Sequence, residues 1–360
     1  MAGQISRRRF NSGLGSVLGA AVVSGAVPRP VRAATTTITV LNWKGYGTDE
    51  AFALKEFAAA NSIDVQHDYF NSEPEMLTKL RTNPGVYDVV LINSARTQQA
   101  QAEGLIDPIT PGDFPNAADL APELKSHQNL MADGKTYGLA WVWGMNGLAV
   151  RQGKVTGADS FAIFLDPSYA GRLALFDDTT TAIAIGALLS GQDINDPKNM
   201  KAVADKLKAM KPNVKLLWSS EDEWNKAFAA DAFDISVYWS GAVARSIRQH
   251  KLPVEFIVPK EGAIAWLDGL SIPASSTKKD AAKKFINYMV APSFYAGWAK
   301  AGAPASANAK AMAQLAADDM SKQIHKSEYL SKLQFMSAMP DERRQAFADA
   351  WEEVKAFYAR

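Results

Sequence analysis

The chain has 360 residues, of which 47% are hydrophobic and 21% charged, a balance that suits a globular protein of about two domains and excludes disorder or low complexity. It has no cysteine, so disulfides, Cys-ligated zinc and thiol catalysis drop out together. With 39 Lys and Arg against 38 Asp and Glu, the formal net charge is +1.

The N-terminus reads as an export signal. Ser6-Arg7-Arg8-Arg9-Phe10 precedes a mildly apolar Gly/Ala-rich run from Gly13 to Val27, and Val31-Arg32-Ala33 offers the small residues a signal peptidase accepts. The pattern is that of a twin-arginine signal cleaved near Ala33, with a periplasmic mature protein. Losing residues 1–33 removes five arginines and no acid, moving the formal net charge from +1 to −4. A mildly acidic chain is not a generic nucleic-acid binder. No later run reaches the length of a membrane span, so the mature chain is expected to be soluble.

Thr37-Ile38-Thr39-Val40-Leu41 reads as the first buried strand, followed by the loop Asn42-Trp43-Lys44-Gly45-Tyr46-Gly47. Asp49 is placed to cap a helix reaching about Ala60, Ile63 to Asp68 is a second strand, and Pro74 opens a helix to about Arg81. Tyr87 to Ile92 is a third strand, delivering Asn93-Ser94-Ala95-Arg96 into the next loop. This β-α-β-α-β alternation predicts a parallel sheet with helices on both faces. Tyr137 to Leu148 is apolar, aromatic and extended, and is expected to cross between two lobes. A second α/β series follows, with strands at Arg172 to Phe176, Val214 to Leu217, Ile235 to Tyr238 and Val254 to Val258 and helices between them.

Ala265-Trp266-Leu267-Asp268-Gly269-Leu270-Ser271-Ile272-Pro273 is expected to cross back. Alternation in an extended strand puts Trp266 and Asp268 on one face and Leu267 on the other. A carboxylate facing a cleft needs a cation or several donors, and an indole beside it offers a π-face for an ammonium. Helical patterns dominate after Lys279, including Asp341 to Tyr358.

Trp43, Ser94, Asp178 and Trp239 all follow strand ends, two in each expected lobe, and ligands of open parallel sheets sit at the carboxyl ends of strands. Two lobes with strand ends facing a shared cleft make a clamp. The expected division is residues 34–139 with 265–303 in lobe 1, and residues 140–264 with 304–360 in lobe 2.

The order and spacing of these segments resemble the periplasmic solute-binding proteins of ABC transporters of the spermidine/putrescine type. The resemblance rests on Asn42-Trp43-x-x-Tyr46, Tyr87-Asp88-Val89-Val90 with Ser94, the Trp141/Trp143 crossing, Asp166-Pro167-x-Tyr169-x-Gly171-Arg172 leading to Asp177-Asp178, Trp239-Ser240-Gly241, and Pro259-Lys260-Glu261-Gly262 before Trp266-x-Asp268. It implies an α/β, two-lobed periplasmic binding protein of type II-like architecture, each lobe a mostly parallel sheet flanked by helices. It also implies a monomer that captures an amine by lobe closure and delivers it to an inner-membrane permease. Carried over, it makes Trp43, Tyr46, Trp239 and Trp266 an aromatic box, pairs Asp268 with an ammonium, lines the slot with Ser94 and gives Asp178 the far end.

Three departures bear on the solute. Thr181 stands where the polyamine binders carry an acid three residues after Asp178, Arg96 where an aromatic follows the first-lobe serine, and Gly302-Ala303-Pro304 where they place a tyrosine. Losing an acid and gaining Arg96, with Lys44 in the first aromatic loop, favours as an alternative a zwitterion with ammonium and carboxylate ends.

Other classes fit less well. His67, His127, His250 and His325 lie far apart in surface-like contexts, and no HExxH, GxSxG or Walker-type loop occurs in the mature chain, so an enzyme is not expected. A ferric-iron receptor would supply paired tyrosines, whereas Tyr137, Tyr169, Tyr238 and Tyr295 stand singly. Asp177-Asp178 followed by three threonines lacks the oxygen count of a calcium loop. No cofactor and no metal are expected.

Overall fold

The β-branched run Thr37 to Leu41 forms the heart of a strand whose inward side chains Ile38, Val40 and Leu41 are fully buried. The computed structural model describes residues 35–360; the expected export signal at residues 1–33 lies outside them. The strands in chain order are β1 (Thr36–Asn42), β2 (Ile63–Tyr69), β3 (Val89–Asn93), the short pair β4 (Met131–Ala132) and β5 (Lys135–Thr136), β6 (Leu139–Arg151), β7 (Leu173–Phe176), β8 (Val214–Trp218), β9 (Ile235–Trp239), β10 (Val254–Ile257), β11 (Ala263–Ser271), β12 (Ala305–Ser306) and β13 (Leu333–Phe335).

Among the described residues one sheet runs β2-β1-β3-β11-β6-β9-β7-β8. Its two ends are parallel: β1 pairs with β2 and β3, and β7 with β8 and β9. The middle is antiparallel, because β11 runs against β3 and β6, and β6 runs against β9. The two stretches expected to cross are therefore neighbouring strands, and all thirteen residues of β6 are buried.

Apolar side chains gather on either side of this crossing. One core draws on residues from Ile38 to Trp143 and from Leu267 to Ala311. Two smaller clusters draw on Met145 to Ile264 and on residues after Ile324, including Trp351. Ala305, Ala307 and Ala311 pack into the first core, so its last contribution extends beyond the boundary expected at residue 304.

Three local expectations change. Asp49 does not cap the first helix; Ala51–Asn61 starts from Glu50 without a side-chain cap, and the Asp49 carboxylate accepts from the Gly45 amide at 2.8 Å. Asn93 to Arg96 is not a loop, since the Asn93 side chain accepts from the Ala95 amide and starts helix Ser94–Ala102 at once. Trp239 likewise leads straight into helix Ser240–His250. His325 is not a surface residue but is buried, with Nδ1 against the Ser321 carbonyl and Nε2 against Ser240 Oγ, and burial pulls its pKa down to about 4.

Arg151 at the end of β6 and Arg172 before β7 converge on Asp234 at the foot of β9, with Nε–O distances of 2.9 and 2.6 Å. The Arg151 and Asp234 side chains are both only 10% exposed, so neither is satisfied by water alone. Asp234→Asn leaves Arg151 only the half-exposed Asp231 carboxylate and the Phe228 and Phe233 carbonyls, and is expected to cost ~1.5–3 kcal/mol, read as a lower urea midpoint.

Candidate solute-binding site

The strand ends deliver the site. Asn42, fully buried at the end of β1, donates to the Tyr46 carbonyl and to Thr48 Oγ1, both at 2.8 Å, which fixes the loop carrying Trp43 and Tyr46. The Trp43 ring stands against Phe70 with centroids 4.5 Å apart. Tyr46 packs edge-on against Trp298 at 5.7 Å, and its hydroxyl donates to Asp268 Oδ2 at 2.8 Å. Asn93, opposite Asp268 in the β3–β11 register, donates from Nδ2 to Oδ1 at 2.9 Å. Trp239 is braced by Phe176 and Trp218, at 5.0 and 5.2 Å.

Trp266 and Asp268 share a face of β11 as alternation requires, while Leu267 points into the first core. Trp266 lies opposite Gly144 of β6, and a Cβ on that glycine would fall 2.3 Å from the indole. The indole thus rests on bare backbone.

Two adjoining cavities result. The first, ≈ 750 Å³, is lined by Tyr46, Asp268, Trp298 and the Glu221/Arg245 pair; the second, ≈ 700 Å³, by Arg96, Asp178, Thr181 and Arg344. Trp43, Glu73, Asn93, Trp239 and Trp266 border both.

Their electrostatics differ. Burial pushes the Asp268 carboxyl up to about 6, against the pull of its hydrogen bonds from Tyr46 and Asn93. Burial and then the charge of Asp268 push Glu73 up to about 8, with Arg96 pulling it down. Glu73 Oε2 is buried with no hydrogen-bond partner. Arg245, in contrast, is neutralised by Glu221 through contacts of 2.8 and 2.6 Å and also donates to the Gly302 carbonyl. The first cavity therefore holds three carboxyl groups, Asp268, Glu73 and Glu50, that burial holds toward the neutral form, set among aromatic rings.

Of the nine residues the sequence singles out, Trp43, Tyr46, Arg96, Asp178, Thr181, Trp239, Trp266 and Asp268 line this cleft. Ser94 does not: it is fully buried, because the helix begins there and turns Asn93 and Ala95 toward the cavity instead. Asp178 is partly committed as the N-cap of helix Thr179–Leu189, accepting from the Thr181 amide at 2.8 Å. Thr181 Oγ1 accepts from Asn146 at 3.1 Å.

Sequence reasoning missed Glu73, Asn93, Trp298, Arg245 and Arg344. Glu73 was within reach, since it follows β2 by four residues and strand ends were the guide. Arg344 carried no such signal.

The α/β architecture, with strand ends from two packed cores opening onto one cleft, defines a solute-binding receptor. Residues 53–325 match the model of the bacterial extracellular solute-binding proteins, and the chain belongs to that family. The spermidine/putrescine-binding periplasmic protein of Escherichia coli strain K12 is 30% identical over 264 residues, 71% of this chain and 73% of that one. The putrescine-binding periplasmic protein SpuD of Pseudomonas aeruginosa is 25% identical over 95% of this chain and 98% of its own. Among solved structures, a spermidine/putrescine ABC transporter substrate-binding protein from Streptococcus pneumoniae superposes with a TM-score of 0.79 at 21% identity, covering 90% of this chain and 99% of that one. The fold is thus the expected two-lobed periplasmic binding protein, and the protein is an extracellular solute-binding protein, not an enzyme. Among the described residues no helix is long and apolar enough to cross a membrane.

Two outcomes are expected of the unliganded site. Glu73 has an ordinary value of 4.5 and is raised to about 8, so the folded state holds its proton more tightly than the unfolded chain, and its ionisation costs stability as pH rises from about 4.5 through 8. Glu73→Gln should therefore raise the Tm of the unliganded protein relative to wild type at pH 8.5, with the gain fading toward pH 4.5. Gly144→Ala should push Trp266 out of place, weakening solute affinity in calorimetry while circular dichroism stays native.

Proposed function

We propose that the solute is a small aliphatic amine, a polyamine such as putrescine or spermidine or a related amine, with an ammonium in the first cavity against Asp268. The observation that carries this reading is the Asp268 carboxylate, 6% exposed, held by two neutral donors and, among the described residues, in no ion pair, with Lys44 and the Glu221-paired Arg245 elsewhere on the same cavity wall. A buried carboxylate without a counter-ion is costly, and a desolvated ammonium over indole faces gains up to ~2 kcal/mol. Trp43, Tyr46, Trp239 and Trp266 would cover the methylene chain, Glu73 would supply the acid that Thr181 does not, and Asp178 would face the second cavity. The polyamine names of the relatives support the class of solute.

In this reading the lobes, built around the first core and around the two later clusters, close on the solute. The twin-arginine signal exports the chain to the periplasm, and a monomer presents the loaded cleft to its inner-membrane permease.

The test is Asp268→Asn, which should cost ~2–5 kcal/mol of amine affinity, because it removes one partner of a buried charge pair. Affinity of the wild-type protein should tighten as pH rises from about 5 through 8 and level only above that, since a cation binds the ionised forms of Asp268 and Glu73 and must displace their protons at lower pH. Calorimetry showing full affinity in Asp268→Asn would overturn the reading.

A further inference from the structure

The second cavity answers the opposite charge. Arg96 in the first turn of helix Ser94–Ala102 and Arg344 in the first turn of helix Asp341–Tyr358 both line it. Arg96 donates to a neutral acceptor, Gln99 Oε1, at 3.2 Å. Arg344 reaches the Met339 carbonyl and Asp341, whose side chain is 91% exposed, so water screens that ion pair. Burial and the charge of Arg96 both hold Arg344 below its usual range, which sets the two guanidiniums within each other's field.

The acids bordering this cavity are Asp178 and Glu73. One Asp178 oxygen is occupied as a helix cap, and Glu73 also borders the first cavity, in the field of Asp268. An ammonium seated against Asp268 draws on the Glu73 charge as well, and two guanidiniums, Arg96 and Arg344, then face the single carboxylate of Asp178, itself a helix cap, in a cleft that shuts. Charges in a closing cleft must nearly cancel, and a planar guanidinium fork matches a carboxylate.

We infer that the solute carries, away from its ammonium, an anionic group of carboxylate type that Arg96 and Arg344 receive in the second cavity. This rests on the amine reading above and, within it, selects a related zwitterionic amine over putrescine and spermidine.

Calorimetry of the protein at pH 8 with n-alkylamines, α,ω-diamines and ω-amino acids of matched chain length separates the possibilities. The best ω-amino acid should bind about tenfold or more tighter than the alkylamine of equal length, and tighter than the diamine, as expected for a charge-assisted pair. Arg96→Gln and Arg344→Gln should each shrink that ratio toward one. An ω-amino acid no better than its alkylamine, or a diamine that binds tightest, overturns the carboxylate subsite and leaves the amine reading in place. If no amine binds, or if Asp268→Asn leaves amine binding intact, the amine reading falls and the subsite falls with it. The wild-type ligand comparison stands even where a variant fails to fold.

Discussion

The site depends on a buried carboxylate that, among the described residues, is paired with no cation. Asp268 sits at the meeting of β3, β11 and the loop after β1, and its two oxygens accept from Asn93 and Tyr46, groups that can orient a charge without cancelling it. Two neutral hydrogen bonds offset part of the desolvation cost of an ionised carboxylate and leave the remainder for a ligand to remove. The rings around it exclude water and so strengthen whatever charge arrives. Glu73, with one oxygen buried and bare, adds a second deficit of the same sign. The receptor is in this sense poised against its own electrostatics.

The fold sets this poise against well-paired charges at the far ends of the same strands. Arg151, Arg172 and Asp234 bind one another at the far end of β6, β7 and β9, and Asp88 at the far end of β3 accepts from Thr39, Ser276 and Lys278. The cleft ends of the same strands carry the groups left wanting. This division follows from the parallel arrangement in each half, which brings successive strand ends, and the helix starts after them, to one side.

Much of this was legible in the sequence because strands announce themselves locally. β-Branched runs, their alternation at Trp266 and Asp268, and the residues that follow each run gave the sheet and most of the cleft. What escaped depends on orientation or on distance along the chain. Ser94 was placed one residue off, because nothing in Asn93-Ser94-Ala95-Arg96 says that the helix starts without a loop, and that start turns Asn93 rather than Ser94 to the cavity. Trp298 and Arg344 come from late helices that meet the cleft only through tertiary packing. His325, the packing of Ala305 to Ala311 and the partnership of Arg245 with Glu221 are likewise matters of packing, which periodicity does not encode.

The shared middle of the sheet bears on how the molecule comes apart. β6 pairs with β11 on one side and β9 on the other, and its residues serve the first core up to Trp143 and the later clusters from Met145 onward. Lobes tethered by solvated linkers can lose their order one at a time. Here the disorder of either half would strip hydrogen-bonded neighbours and buried contacts from a strand the other half needs, so denaturation is a joint event and partial unfolding is suppressed. The same continuity bears on motion: β6 and β11 run unbroken between the cores, with the bare Gly144 backbone and the register shift between Asp268 and Gly269 beside the candidate site.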